Sequence, residues 1–147
     1  MMLKNKVAIV TGGTRGIGFA VVKKFIENGA AVSLWGSRQE TVDQALEQLK
    51  ELYPDAKISG KYPSLKDTAQ VTAMINQVKE EFGAVDILVN NAGISQSTSF
   101  YNYQPEEFQK IVDLNVTAVF NCSQAAAKIM KEQGGGVILN TSSMVSI

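Results

Sequence analysis

Histidine is absent from the 147 residues. That absence removes imidazole acid–base catalysis, a Ser-His-Asp arrangement and the usual zinc sites together. A single cysteine, Cys122, excludes an internal disulfide and fits a reducing cytosol. It lies in an apolar helical run, the setting of a buried structural thiol rather than a nucleophile. Neither sign of charge is in excess, with Lys plus Arg and Asp plus Glu at 14 each. Nothing therefore points to nucleic acid or an anionic membrane surface as a partner. No segment is long and apolar enough to span a bilayer, and the opening Met-Met-Leu-Lys-Asn-Lys lacks a signal-peptide core. A cytoplasmic location is the expectation. Linkers, low-complexity tracts and repeats are missing too, so residues 1–147 read as one domain. The 45% hydrophobic content suits a real core.

What is present is an alternation of strand and helix, which argues for a parallel sheet covered on both faces. Strand one is Val7 to Val10, apolar and mostly β-branched. A helix from about Ile17 to Asn28 follows, with Ala20, Val21, Val22, Phe25 and Ile26 on its apolar side and Gly29 as its stop. Strand two is Ala31 to Trp35, and a helix over about Gln39 to Leu52 ends at Tyr53-Pro54-Asp55. Strand three falls at about Lys57 to Lys61, and the next helix runs from about Asp67 to Phe82. Strand four is Val85 to Val89, ending in Asn90-Asn91-Ala92-Gly93. After a polar loop, Pro105 opens a long helical region reaching about Lys131. Phe108, Ile111, Val112, Val116, Val119 and Phe120 keep its apolar period. Gly134-Gly135-Gly136 breaks it, and strand five is Val137 to Asn140. The pattern predicts a doubly wound, Rossmann-type α/β sheet ordered 3-2-1-4-5.

In such a sheet, ligands bind outside the carboxyl ends of the strands, where strand order reverses. The polar residues collect there, although polar clustering at that edge is common to any α/β sheet. Thr11 to Gly18 form a glycine-rich turn opening into a helix, with Gly12, Gly16 and Gly18 spaced G-x-x-x-G-x-G. Glycines let the backbone turn sharply and approach a pyrophosphate, whose charge then sits on the helix N-terminus. Ser37 and Arg38 follow strand two, Asn90 to Gly93 strand four, and Asn140 to Ser143 strand five. Asn is also a common turn residue. Asn115 stands mid-helix in an apolar pattern, where an amide needs partners.

Thr11-Gly12-Gly13-Thr14-Arg15-Gly16-Ile17-Gly18, Asn90-Asn91-Ala92-Gly93, Asn115 and Asn140-Thr141-Ser142-Ser143 resemble, in order and separation, the motifs of the short-chain dehydrogenase/reductase family. The likeness covers the whole chain. Within the family it is most similar to bacterial 3-oxoacyl-carrier-protein reductases and bile-acid hydroxysteroid dehydrogenases. The resemblance implies hydride exchange between a nicotinamide cofactor and a small ketone or secondary alcohol, in a homo-oligomer. It gives Gly12, Thr14, Arg15, Gly16, Ile17 and Gly18 to the cofactor pyrophosphate and ribose. Asn90, Ala92 and Gly93 would line the sheet edge beside the cofactor. Ser64 and Leu65 would meet the adenine, although Ser64 stands where members usually carry Asp. Ser143, or the adjacent Ser142, would hydrogen-bond the substrate oxygen, and Asn115 would hold water in a proton relay.

An acidic residue ending strand two would bind the 2′-hydroxyl of NAD(H); the turn instead reads Gly36-Ser37-Arg38. Arg15 and Arg38 converging there favour the 2′-phosphate of NADP(H), the alternative being two solvated surface arginines. The resemblance also implies a Tyr-x-x-x-Lys pair on the helix after strand five, the lysine lowering the tyrosine pKa. Within the 147 residues only Tyr53…Lys57 and Tyr62…Lys66 have that spacing, and both flank strand three. The expectation is a fragment of a longer enzyme, inactive alone, with an open final strand and uncovered helix faces. A non-catalytic nucleotide-binding module or inactive partner subunit is the rival reading.

Overall fold

The computed structural model describes residues 1–143. Their elements are β1 (Val7–Thr11), α1 (Gly16–Glu27), β2 (Ala31–Trp35), α2 (Gln39–Leu52), β3 (Ile58–Lys61), α3 (Thr68–Phe82), β4 (Ile87–Asn90), α4 (Pro105–Val112), α5 (Ala118–Gln133) and β5 (Val137–Asn140). All strand pairs are parallel and the sheet order is β3-β2-β1-β4-β5, as the alternation predicts. No helix among the described residues is long and apolar enough to cross a membrane.

The strands are near-continuous apolar runs because both of their faces are covered. Ala8 and Val10 point to one face, where they pack with Val22 and Ile26 of α1 and with Val42, Ala45 and Leu49 of α2. Val7 and Ile9 point to the other, against Val71, Ile75 and Val78 of α3 and Cys122, Ala126 and Ile129 of α5. Each fully buried Val, Leu or Ile stabilises the fold by about 1.5–3 kcal/mol relative to exposure. Two layers of such contacts fix the sheet and so fix where its carboxyl edge presents the loops.

Three expectations need correction. Strand four begins at Ile87 rather than Val85, because the Val85 N–H donates to Gln133 Oε1 and its carbonyl accepts from Gln133 Nε2. The side chain of Gln133 thus takes the bonds a neighbouring strand would otherwise receive. The long helical region is two helices, joined by a π-helical turn at Asp113–Thr117. That turn shifts the phase of the apolar period beyond it, and Val116 and Phe120 stand exposed, as does Phe108 on α4, which buries no residue. Asn115 sits on the π turn and is exposed, not set into an apolar face.

Candidate functional site

A cleft of about 730 Å³ opens at the carboxyl edge of the sheet. The β1–α1 turn lines it with Gly12, Thr14, Arg15 and Gly16. The end of β2 and the start of α2 add Trp35, Gly36, Ser37, Arg38 and Thr41. Tyr62 to Leu65 and Gln70 close one side, and Asn91 to Ile94 with Leu114 close the other. Among the described residues, its only charged lining residues are Arg15 and Arg38, and no carboxylate lines it.

The turn is built for close approach. Gly12 has φ 62°, and a Cβ there would lie 2.9 Å from Ala92 Cα. A Cβ on Gly18 would fall 1.9 Å from the Gly12 carbonyl oxygen, so α1 can start this near the turn only with glycine. Arg15, the residue preceding α1, is extended and provides no side-chain cap, and the first helical turn contains no acidic residue. The amides at that N-terminus are therefore open to an anion, which the helix dipole favours. Arg38 likewise precedes α2 without a side-chain cap, while Thr41 Oγ1 donates to the Arg38 carbonyl at 3.0 Å. Glycine cradle, uncapped helix starts and two unopposed guanidinium groups together fit a dinucleotide bearing several phosphate charges.

Thr11 ties the first turn to the fourth. Its Oγ1 accepts from the N–H groups of Asn91 (3.1 Å) and Ala92 (3.0 Å), and it donates to the Val89 carbonyl at 3.4 Å. Asn91 Nδ2 donates to the Gly12 carbonyl at 3.3 Å, and Thr141 Oγ1 to Asn91 Oδ1 at 3.1 Å. Asn90 is buried, its Nδ2 donating to Asn140 Oδ1 (2.9 Å) and Ser123 Oγ (3.0 Å). It locks β4 to β5 and α5 and does not line the cleft.

Asn115 grips the segment after β4 with both ends of its amide. The Ile94 N–H donates to Oδ1 and Nδ2 donates to the Ile94 carbonyl, each at 2.9 Å. Ser142 and Ser143 are exposed and follow β5 along the same edge.

The cleft thus gathers Gly12, Thr14, Arg15, Gly16, Ser37, Arg38, Ser64, Leu65, Ala92 and Gly93 of the expected set. Ile17 is exposed outside the cleft and Gly18 lies beneath the turn. Trp35, Thr41, Tyr62 and Gln70 line it without having been singled out. Trp35 and Tyr62 had a signal, since each stands at the carboxyl end of a strand; Thr41 and Gln70 face the cleft from helices and had none.

Of the two Tyr-x-x-x-Lys matches, one places its tyrosine, Tyr62, in the cleft lining beside Ser64, and the other lies apart from the cleft. Tyr53 and Lys57 line a separate cleft of about 740 Å³ at the amino edge of the sheet. The Tyr53 hydroxyl donates to Glu27 at 2.8 Å, and that bond raises its pKa, the reverse of what a tyrosinate base needs. Lys66 pairs loosely with Asp113 at 3.9 Å.

Comparison with known proteins agrees with this architecture. The family model described as short chain dehydrogenase matches residues 6–147. A 3-oxoacyl-(acyl-carrier-protein) reductase of Chlamydia muridarum is 35% identical over 146 residues, covering 99% of this chain and 58% of the relative. The crystal structure of levodione reductase superposes with a TM-score of 0.89 at 33% identity, covering 96% of this chain and 55% of that one. A short-chain type dehydrogenase/reductase from Mycobacterium marinum gives 0.90 at 36% identity, covering 97% and 57%. The chain spans little more than half the length of the relatives it matches. It belongs to the short chain dehydrogenase family.

Proposed function

We propose that these residues form the cofactor half of an NADP(H)-dependent oxidoreductase that interconverts a small ketone and a secondary alcohol. The observation that carries the cofactor choice is the cleft lining, in which Arg15 and Arg38 are the only charged residues among those described. A carboxylate ending β2 would repel a 2′-phosphate; Trp35-Gly36-Ser37-Arg38 offers a hydroxyl and a guanidinium instead. Relatives named as reductases of an oxoacyl group and of levodione support the ketone chemistry.

In this reading the Gly12–Gly18 turn and the start of α1 hold the pyrophosphate. Ser37, Arg38 and Arg15 hold the 2′-phosphate, and Ser64 and Leu65 meet the adenine. Ala92 and Gly93 form the floor beside the nicotinamide, and Asn90, buried beside them, holds the end of β4 in place through Asn140 and Ser123. A bound nicotinamide supplies the hydride chemistry, and the protein supplies orientation and charge. Ser143 donates a hydrogen bond to the substrate oxygen. Asn115 keeps the Ile94 segment in place and supports the proton relay. The Tyr-x-x-x-Lys spacing at this edge, Tyr62…Lys66, falls on the Ser64 side of the cleft and not beside Gly93, so alone the 147 residues bind cofactor without turnover. The whole enzyme is a homo-oligomer in this reading.

Calorimetry on wild type and Arg38→Ala tests the cofactor choice. NADPH should bind wild type at least about tenfold tighter than NADH, and Arg38→Ala should remove most of that ratio, the worth of one charge-assisted hydrogen bond. Equal affinity for both cofactors in wild type would overturn the NADP(H) assignment.

A further inference from the structure

Ser64 and Leu65 line the cleft, yet neither belongs to a strand or a helix. Their placement depends on bonds from outside the loop. The Ser64 N–H donates to Gln70 Oε1 at 3.0 Å, the Ser64 carbonyl accepts from the Asp67 N–H at 3.0 Å, and the Leu65 carbonyl accepts from Asn121 Nδ2 at 2.9 Å. Three of the four backbone polar groups are thus committed. The fourth, the Leu65 N–H, has no partner among the described residues.

The two amides that hold the loop are themselves oriented. Gln70 Nε2 donates to Asp67 Oδ2 at 3.2 Å, and Asn121 Oδ1 accepts from Thr68 Oγ1 at 3.4 Å. Asn121 lies at 5% exposure on the α5 face that otherwise buries Cys122, Ala125 and Ala126. A buried amide is costly unless bonded, and both bonds of this one reach back across the fold to the loop and the start of α3. Asn121 does not line the cleft. Among the described residues, its side chain donates to the Leu65 carbonyl and accepts from the Thr68 hydroxyl.

We propose that Asn121, assisted by Gln70, is a positioning residue that fixes the Leu65 N–H as a donor to a ring-nitrogen acceptor of the nucleotide base. This rests on the dinucleotide reading above. With the peptides on either side tied down, the Leu65 N–H cannot swing away from a mismatched base. Adenine presents an unprotonated ring nitrogen to such a donor. Hypoxanthine, with a proton on that nitrogen, would set donor against donor, and a site built for one pattern rejects the other.

The test titrates the full chain with NADPH and with its reduced hypoxanthine analogue, for wild type, Asn121→Leu and Gln70→Ala. Wild type should prefer NADPH by about tenfold, from one hydrogen bond made against one donor left unpaired. Asn121→Leu should weaken NADPH by about the same factor while barely changing the analogue, so that the ratio falls toward one. Gln70 is exposed, so Gln70→Ala leaves the core intact and should move the ratio in the same direction even if Asn121→Leu does not fold. Equal weakening of both ligands, with the ratio kept, would mark Asn121 as merely structural and overturn the proposal. NADPH binding with no discrimination in wild type would overturn it alone. Failure of wild type to bind either ligand would overturn the dinucleotide reading and this inference together.

Discussion

Thr11 shows how much of the site hangs on single polar atoms. The residue is 2% exposed, and its hydroxyl receives two backbone N–H groups from the loop that follows β4. Valine has nearly the same shape and no acceptor. Thr11→Val should therefore strand the Asn91 and Ala92 amides and lower stability by about 2 kcal/mol in urea denaturation, whereas Thr11→Ser should lose much less. A Thr11→Val protein as stable as wild type would contradict the hub role. Cys122 makes the opposite point, since it is apolar in all but name. Burial pushes its thiol up to about 12, so the folded chain keeps the proton well above the ordinary value of 9.0. Below that ordinary value the thiol is neutral in both states and contributes nothing to pH dependence. Between there and about 12 only the unfolded chain ionises it, and stability should fall by up to about 1.4 kcal/mol per pH unit. Cys122→Ala should remove that increment from the alkaline slope, and native protein at pH 8 should resist a thiol reagent that reacts fully after denaturation.

Among the elements, the join of α4 to α5 links local backbone geometry most directly to the site. A π-helical turn inserts an extra residue into a helix and re-aims the side chains beyond it. Here it carries Asn115 to the Ile94 backbone, 21 residues away in sequence, with two matched hydrogen bonds. Asn115→Ala should leave the sheet intact but free this segment, speeding amide exchange at Ile94 by about tenfold, the worth of one net hydrogen bond. Unchanged exchange would show that the segment is held by other contacts. The sequence carried no sign of this turn, because apolar spacing reports the period of a helix and not a one-residue slip within it. The rest of the architecture was legible for physical reasons. β2 and β5 are apolar runs closed by glycine or polar residues, and their observed bounds equal the expected ones. Strand order follows from the alternation of strands with crossover helices. The cleft was legible where glycine and arginine stand at strand ends. It was not legible where Thr41 and Gln70 arrive from helices, nor where Asn121 holds the Leu65 loop from outside the cleft, since contacts distant in sequence leave no local pattern.

Over the whole molecule, the distribution of apolar surface is uneven. β3 lies at one margin of the sheet, and there Lys61 is buried and pairs with Glu81 at 2.8 Å, a charge that discourages further strand pairing. β5 lies at the other margin with Val137 and Leu139 about half exposed and no charged residue in the strand. Nearby in sequence, Phe108, Val116 and Phe120 stand more than half exposed along α4, the π turn and α5. Among the described residues, a parallel margin strand without charge and an exposed apolar stripe both favour association over solvation. With formal charges balanced at zero, long-range repulsion does little to oppose it. Sedimentation velocity should therefore show self-association that grows with concentration, driven by burial of these apolar groups. Phe120→Glu removes one aromatic anchor and adds charge at an exposed position, so it should shift the distribution toward monomer. Its unfolding free energy should stay within about 0.5 kcal/mol of wild type, as expected of a surface substitution. A Phe120→Glu protein that associates like wild type would place the contact on the β5 edge instead. Val137→Lys and Leu139→Lys would then be the variants that dissociate it, because a lysine pair on an edge strand blocks pairing without disturbing the partly buried Ile138 between them.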